Sequence, residues 1–113
     1  MKRHDVAKIE AGADAVTLIN IYEVDPERQA ELAWLLSEIT ESAIRSLPGF
    51  ISVSVHSSFD GKHVANYAQW ASKADFENFM KAPGTRGQLE CFAALAKSVS
   101  PALYKVDAVH TVG

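Results

Sequence analysis

Two primary amides and an indole stand where an apolar strand would place aliphatic side chains. Asn66 and Trp70 are four residues apart in Val64-Ala65-Asn66-Tyr67-Ala68-Gln69-Trp70, so an extended chain projects both from one face, together with Val64 and Ala68. Asn20 interrupts the apolar set Val16, Leu18 and Tyr22 in the same way. A buried amide costs a few kcal/mol unless its donors and acceptor find partners. Two readings are open: these side chains line a cavity and hold a polar ligand there, or each asparagine bonds backbone and Trp70 fills core.

Other chemistries have little support. The chain has no Gly-x-Gly-x-x-Gly, Gly-x-x-x-x-Gly-Lys, Gly-x-Ser-x-Gly or His-Glu-x-x-His string, which argues against nucleotide, phosphate and serine-hydrolase chemistry. His4, His56, His63 and His110 form no i, i+4 helical pair, so no metal site is expected. Cys91 is the single cysteine; it forms no intrachain disulfide and fits a reducing cytoplasm. Fourteen acidic against eleven basic residues give a net charge of -3, which disfavours nucleic acid or an anionic membrane as partner. No apolar run approaches the roughly 18 residues that span a bilayer, and residues 1–8 lack the apolar stretch of a signal peptide. These features predict a soluble cytoplasmic protein.

The elements that would carry the amides emerge from periodicity. Residues 1–14 show neither helical nor strand spacing and are expected to be a flexible N-terminal arm, with a single domain over residues 15–113. Residues 16–24 are rich in β-branched and aromatic types on both faces, the pattern of a central strand. Asp25-Pro26-Glu27 predicts a helix start capped by Asp25, with the helix running to about Ser46 and burying Leu32, Leu35, Leu36, Ile39, Ala43 and Leu47. Trp34 falls on the opposite side of that stripe. After Leu47-Pro48-Gly49, residues 50–58 alternate Ile51, Val53, Val55 against Ser52, Ser54, His56, and the Asp60-Gly61 turn pairs Ser58 with His63 at the start of an antiparallel strand to Trp70. Ser72-Lys73-Ala74-Asp75 resembles a capping box for a short helix with Phe76, Phe79 and Met80 inward, ended by Pro83-Gly84. A third helix is expected over residues 85–99 and a last strand over residues 103–109.

This β-α-β-β-α-α-β order is the split βαβ pattern of a ferredoxin-like α+β fold, a four-stranded antiparallel sheet with its helices on one face. The other face then carries apolar strand positions larger in sum than a soluble monomer usually exposes, and pairing two sheets as a homodimer removes them.

Pro48-Gly49-Phe50, Val55-His56-Ser57-Ser58, Asp60-Gly61 and above all Asn66-Tyr67-Ala68-Gln69-Trp70 resemble the antibiotic biosynthesis monooxygenase family, and within it the small quinone-forming monooxygenases of aromatic polyketide pathways. The resemblance covers about residues 16–81 and itself implies a dimeric α/β barrel. It implies a cavity between sheet and helices in which Asn20, Asn66 and Trp70 are the catalytic set, with Arg86, His56, Tyr22 and Phe76 binding substrate. Phe76 departs from the tyrosine that some polyketide monooxygenases carry there and has no proton to give.

The implied chemistry uses no flavin, haem or metal. An electron-rich anthrone or phenolic substrate loses a proton, passes an electron to O2 and recombines with it to give a quinone and water. Amide donors from Asn20 and Asn66 and the Trp70 N–H would hold the anion, and His56, with an ordinary pKa of about 6.5, would assist proton removal. Two other functions fit parts of the pattern. A haem-degrading branch of the superfamily uses a histidine on the helix after the tryptophan, and residues 72–97 contain none. A dimer that binds a small aromatic in a stress or detoxification role without catalysis would differ by consuming no oxygen.

Overall fold

Alternating and β-branched residues build four strands, β1 (Val16–Glu23), β2 (Phe50–Ser57), β3 (His63–Trp70) and β4 (Ser98–Tyr104). The computed structural model describes residues 5–113; residues 1–4 of the expected arm, with His4, lie outside the described residues. The strands form one antiparallel sheet in the order β2-β3-β1-β4, so the two strands that carry the amides are its central pair. With the helices α1 (Gln29–Ile39), α2 (Lys73–Lys81) and α3 (Thr85–Ala94), this is the ferredoxin-like arrangement that the element order predicts.

Register decides what faces the helices. Asn20 lies directly opposite Asn66 across β1 and β3, Leu18 opposite Ala68, and Tyr22 opposite Val64. On the other flank of β1, Asn20 pairs with Pro101 and Tyr22 with Val99. Side chains alternate along each strand, so Val53, Val55, Asn66, Asn20, Val99 and Pro101 share one face. The buried side chains fall into two clusters: one around Tyr22, Val24, Leu32, Leu36, Val64 and Phe92, the other around Ile44, Ala68, Trp70 and Phe79.

Several local expectations need correction. Asp25 makes no capping hydrogen bond; Pro26–Arg28 form a 3₁₀ turn, and the α-helix begins only at Gln29. Gln29 Nε2 donates to the carbonyls of Ser58 (2.9 Å) and His63 (3.0 Å), fastening the start of α1 to the β2–β3 hairpin. The helix does not continue regularly to Ser46: residues Thr40–Ile44 widen into a π-turn, closed by the Arg45 N–H on the Thr40 carbonyl at 2.9 Å. One extra residue in that turn rotates the downstream side chains by roughly 100°, so Ile44 is buried where α-spacing points to Ala43. In β2 a bulge at Ile51 lets Phe50 face Trp70 and Ser52 face Gln69, which turns Ile51 out to solvent. Phe79 is buried, and Met80, 44% exposed, still reaches the interior beside it.

The C-terminal third also differs. The α3 helix stops at Ala94, and β4 begins at Ser98 and contains Pro101 within it. Proline punctuates a central strand, but an edge strand leaves every second N–H unneeded, and β4 is an edge. By contrast, the α2 cap agrees with expectation: Ser72 Oγ accepts from the Asp75 N–H at 3.1 Å and donates to Asp75 Oδ2 at 2.9 Å. Among the described residues no helix is long and apolar enough to cross a membrane.

Candidate active site

The two core clusters meet at Ile39 but leave space between them. Between them lies a cavity of about 280 Å³, with Tyr22, Leu36 and Phe92 of the first cluster and Ile44, Trp70 and Phe79 of the second among its walls. Its floor is the sheet face that carries Asn20, Asn66 and Trp70, and β4 contributes Val99 and Pro101 at one side. The walls are overwhelmingly aliphatic and aromatic, which makes the few polar groups conspicuous.

Those groups are buried. Asn20 is 7% exposed, Asn66 9% and Trp70 1%. Three of their polar atoms, Asn20 Oδ1, Asn66 Oδ1 and Trp70 Nε1, have neither solvent nor a hydrogen-bond partner. The asparagine oxygens are therefore not bonded to backbone, as a purely structural role would have them. Leaving such an atom unpaired costs about 1 to 3 kcal/mol, so the three residues that carry them, all in the cavity wall, are held at a cost to the fold. The amide nitrogens of Asn20 and Asn66, the donors expected from the sequence, are not among these fully buried unpaired atoms.

Trp70 is held rigidly. Its ring stacks on Phe79 at 4.9 Å between centroids and 21° between planes, and Phe50 meets it edge-on at 5.7 Å and 90°. Tyr22, two residues beyond Asn20 on the same strand face, is buried beside it. Burial pushes the Tyr22 phenol up to about 12, and hydrogen bonding with the Asn20 side chain pulls it back part of the way. At neutral pH Tyr22 is an uncharged O–H.

The remaining expected residues divide. Phe76 and Tyr22 line the cavity. Arg86 does not: its side chain is 93% exposed and lies 3.8 Å from Glu90, one helical turn on. His56 is also elsewhere, because it pairs with Ala65 on the sheet face away from the helices, one residue out of phase with the cavity-facing Val55. A strand position cannot serve both faces, so neither residue can touch a molecule bound in this cavity within one chain. Among the described residues that line the cavity, Tyr22 is the one ionisable group. No group of three or more potential metal ligands occurs among the described residues.

Sequence reading missed Thr40 and Ile44, which the π-turn aims at the cavity, and Val99 and Pro101 of β4. For the first two a signal existed: Leu36, Thr40 and Ile44 recur every four residues, a second stripe beside the one that fills the core.

Residues 15–99 match the antibiotic biosynthesis monooxygenase family. Tetracenomycin-F1 monooxygenase of Streptomyces glaucescens is 49% identical over 71 residues, which are 63% of this chain and 63% of the relative, so the chain spans under two thirds of that protein. Among solved structures, the monooxygenase ActVA-Orf6 of Streptomyces coelicolor, crystallised with nanaomycin D, superposes with a TM-score of 0.81 at 27% identity, covering 88% of this chain and 93% of its own. SnoaB, a cofactor-independent oxygenase of Streptomyces nogalater, superposes at 0.75 and 22% identity, covering 86% and 97%.

Proposed function

The chain belongs to the antibiotic biosynthesis monooxygenase family, and from that membership we propose that it oxidises a phenolic or anthrone-type aromatic with O2 to a quinone, without a cofactor. The observation that carries the reading is the set of three orphaned polar atoms around an apolar cavity between sheet and helices. An apolar slot accepts fused rings, and the orphans fix how they enter.

The reaction balances with no external reductant. A ring CH2 and one O2 become a ring C=O and one H2O, the substrate supplying all four electrons. The anion formed by loss of a proton gives one electron to O2; recombination makes the C–O bond, and loss of water leaves the carbonyl. In this reading Trp70 Nε1, buried and without a partner, donates to the oxygen on which negative charge develops, in surroundings that exclude water. The amide N–H groups of Asn20 and Asn66, which line the same cavity, would share the hold on that anion. Because Tyr22 stays protonated and His56 lies on the other sheet face, no side chain in the cavity acts as a base at neutral pH. The proton leaves through the substrate's own acidity and solvent.

The same reading carries a homodimer joined through the outer sheet face, where Ile21 and Tyr104 stand exposed beside Ile19, Tyr67 and Ala102. The decisive experiment for the function is oxygen uptake by metal-free protein with a panel of anthrones and hydroquinones. Stoichiometric uptake with quinone formation is expected; tight binding without any uptake would leave a catalytically silent aromatic-binding protein.

A further inference from the structure

The cavity comes close to solvent at two places, on opposite edges of the sheet. At the β4 edge Ala93, Val99 and Pro101 belong to its wall and are exposed, so the mouth between α3 and β4 is open. At the β2 edge the wall is closed but thin. Outside it runs a cleft of about 310 Å³, bounded by Val6 of the N-terminal arm, by Glu41 and Arg45, and by β2 from Phe50 to Ser54. Thr40 and Val53 line this cleft and the cavity alike, and each is half-buried. A single layer of side chains therefore separates the apolar interior from solvent there. Local irregularities flank both residues: Thr40 opens the π-turn, and Val53 follows the bulge in β2, two devices that re-aim side chains beside functional sites. In the order β2-β3-β1-β4 the two edges lie three strand spacings apart, roughly 14 Å.

We infer that the wall formed by Thr40 and Val53 is the passage by which dioxygen enters the cavity once an aromatic occupies it. The inference rests on the proposed oxidation for the identity of the gas, and goes beyond it in giving the two reactants separate routes. A fused ring enters where the wall is open, at the β4 edge, and once seated it blocks that mouth. Benzene alone occupies a cavity of about 150 Å³. A fused aromatic in 280 Å³ thus leaves little room for a second molecule to slip past it. Dioxygen is small and apolar, and apolar cavities accept such species as they accept xenon. Its passage needs only a brief displacement of one or two side chains, and rotamer flips at the surface take picoseconds to nanoseconds, far shorter than a turnover. Trp70 lies behind this same wall, because Val53 packs against the cluster that holds the indole and Phe50 meets its ring. Gas that crosses at Thr40 and Val53 therefore arrives beside the group that faces the developing anion.

Trp70 can report the passage itself. In a Trp34→Phe background, which removes an indole that is 62% exposed and no part of the cavity wall, the remaining tryptophan fluorescence comes from Trp70, and its collisional quenching by O2 measures access. Decalin, a saturated fused bicycle that neither absorbs nor reacts, fills the cavity. With decalin present, quenching in the Trp34→Phe parent is expected to persist. Thr40→Leu or Val53→Leu, each of which thickens the wall, is expected to reduce it by roughly threefold or more, whereas Thr40→Val keeps the shape and holds it within about twofold. Loss of quenching in the parent on adding decalin would make the mouth the sole route, and equal quenching in parent and leucine variants would mean that O2 permeates the whole fold; either result overturns the inference. In turnover the leucine variants are expected to raise the KM for O2 severalfold at saturating aromatic. Oxygen uptake with the anthrone panel keeps the two proposals apart: uptake with a flat quenching series sinks the passage alone, and a graded series without uptake sinks the oxidation alone.

Discussion

The amide oxygen of Asn66 has no hydrogen-bond partner within the chain, so its role separates stability from turnover. It makes no hydrogen bond within the chain, so replacing the side chain by leucine removes a desolvated acceptor without orphaning a partner. Asn66→Leu is expected to melt at or above the wild-type temperature while turnover falls by roughly two to three decades; a clear drop in melting temperature would return Asn66 to a structural role. Trp70→Phe keeps most of the stacking on Phe79 and deletes only the N–H, and the same split between stability and turnover is expected of it. Tyr22 gives a separate signal. Its folded pKa of about 12 lies above the ordinary 10.0, so the neutral phenol is favoured by folding. Its contribution is fully present below pH 10 and is lost as pH rises from 10 toward 12, a loss of about 3 kcal/mol for a two-unit shift. Comparing denaturant unfolding of wild type and Tyr22→Phe across that interval isolates it, and parallel alkaline slopes would show that the phenol is not desolvated. The amides and indole were legible from sequence because polar groups inside apolar strands stand out against period two. The positions of Arg86 and His56, away from the cavity within one chain, were not, because a motif match carries no face.

Elements matter here chiefly at their ends. Gly49 has a φ of +81°, and a Cβ there would run into the side chain of Asp75, the residue that completes the cap of α2. Its carbonyl accepts from the Ala71 N–H at 2.7 Å, so this one turn ties the start of β2 to the end of β3, where Phe50 meets Trp70. Gly49→Ala is expected to cost about 2 kcal/mol or more, since both backbone strain and a collision must be relieved, and thermal unfolding checks it. A substitution with no effect would mean the turn can relax freely. The strands and α2 were legible because their signals are local: alternation, a turn at Asp60-Gly61, a serine cap. The π-turn was not, because Ala43 and Leu47 continue a plausible α-stripe that outweighs the competing Leu36, Thr40, Ile44 spacing. Nor was β4, where Pro101 reads as a breaker until the strand is known to be an edge.

At the scale of the whole molecule the outer sheet face is the open question, and the proposed homodimer answers it. Light scattering at low micromolar concentration is expected to return twice the chain mass, and Ile21→Asp, which puts a charge on that face, is expected to halve it; a wild-type monomer would remove the proposal. The cavity has a further consequence, for motion. It lies between two clusters that meet at Ile39, one joining α1 and α3 through Leu32, Leu36 and Phe92, the other holding α2 through Phe79 on Trp70. In a single packed core a local opening anywhere costs nearly the full unfolding free energy, but two clusters with a gap between them can open one at a time. Amide hydrogen exchange of the protein without ligand should then give two protection levels, with α2 the faster. An aromatic ring seated between the clusters would touch both and weld them into one cooperative unit, so that α2 exchanges no sooner than α1. The ligand would thus serve as the missing piece of the interior, and its dissociation as the event that frees the two halves to move separately.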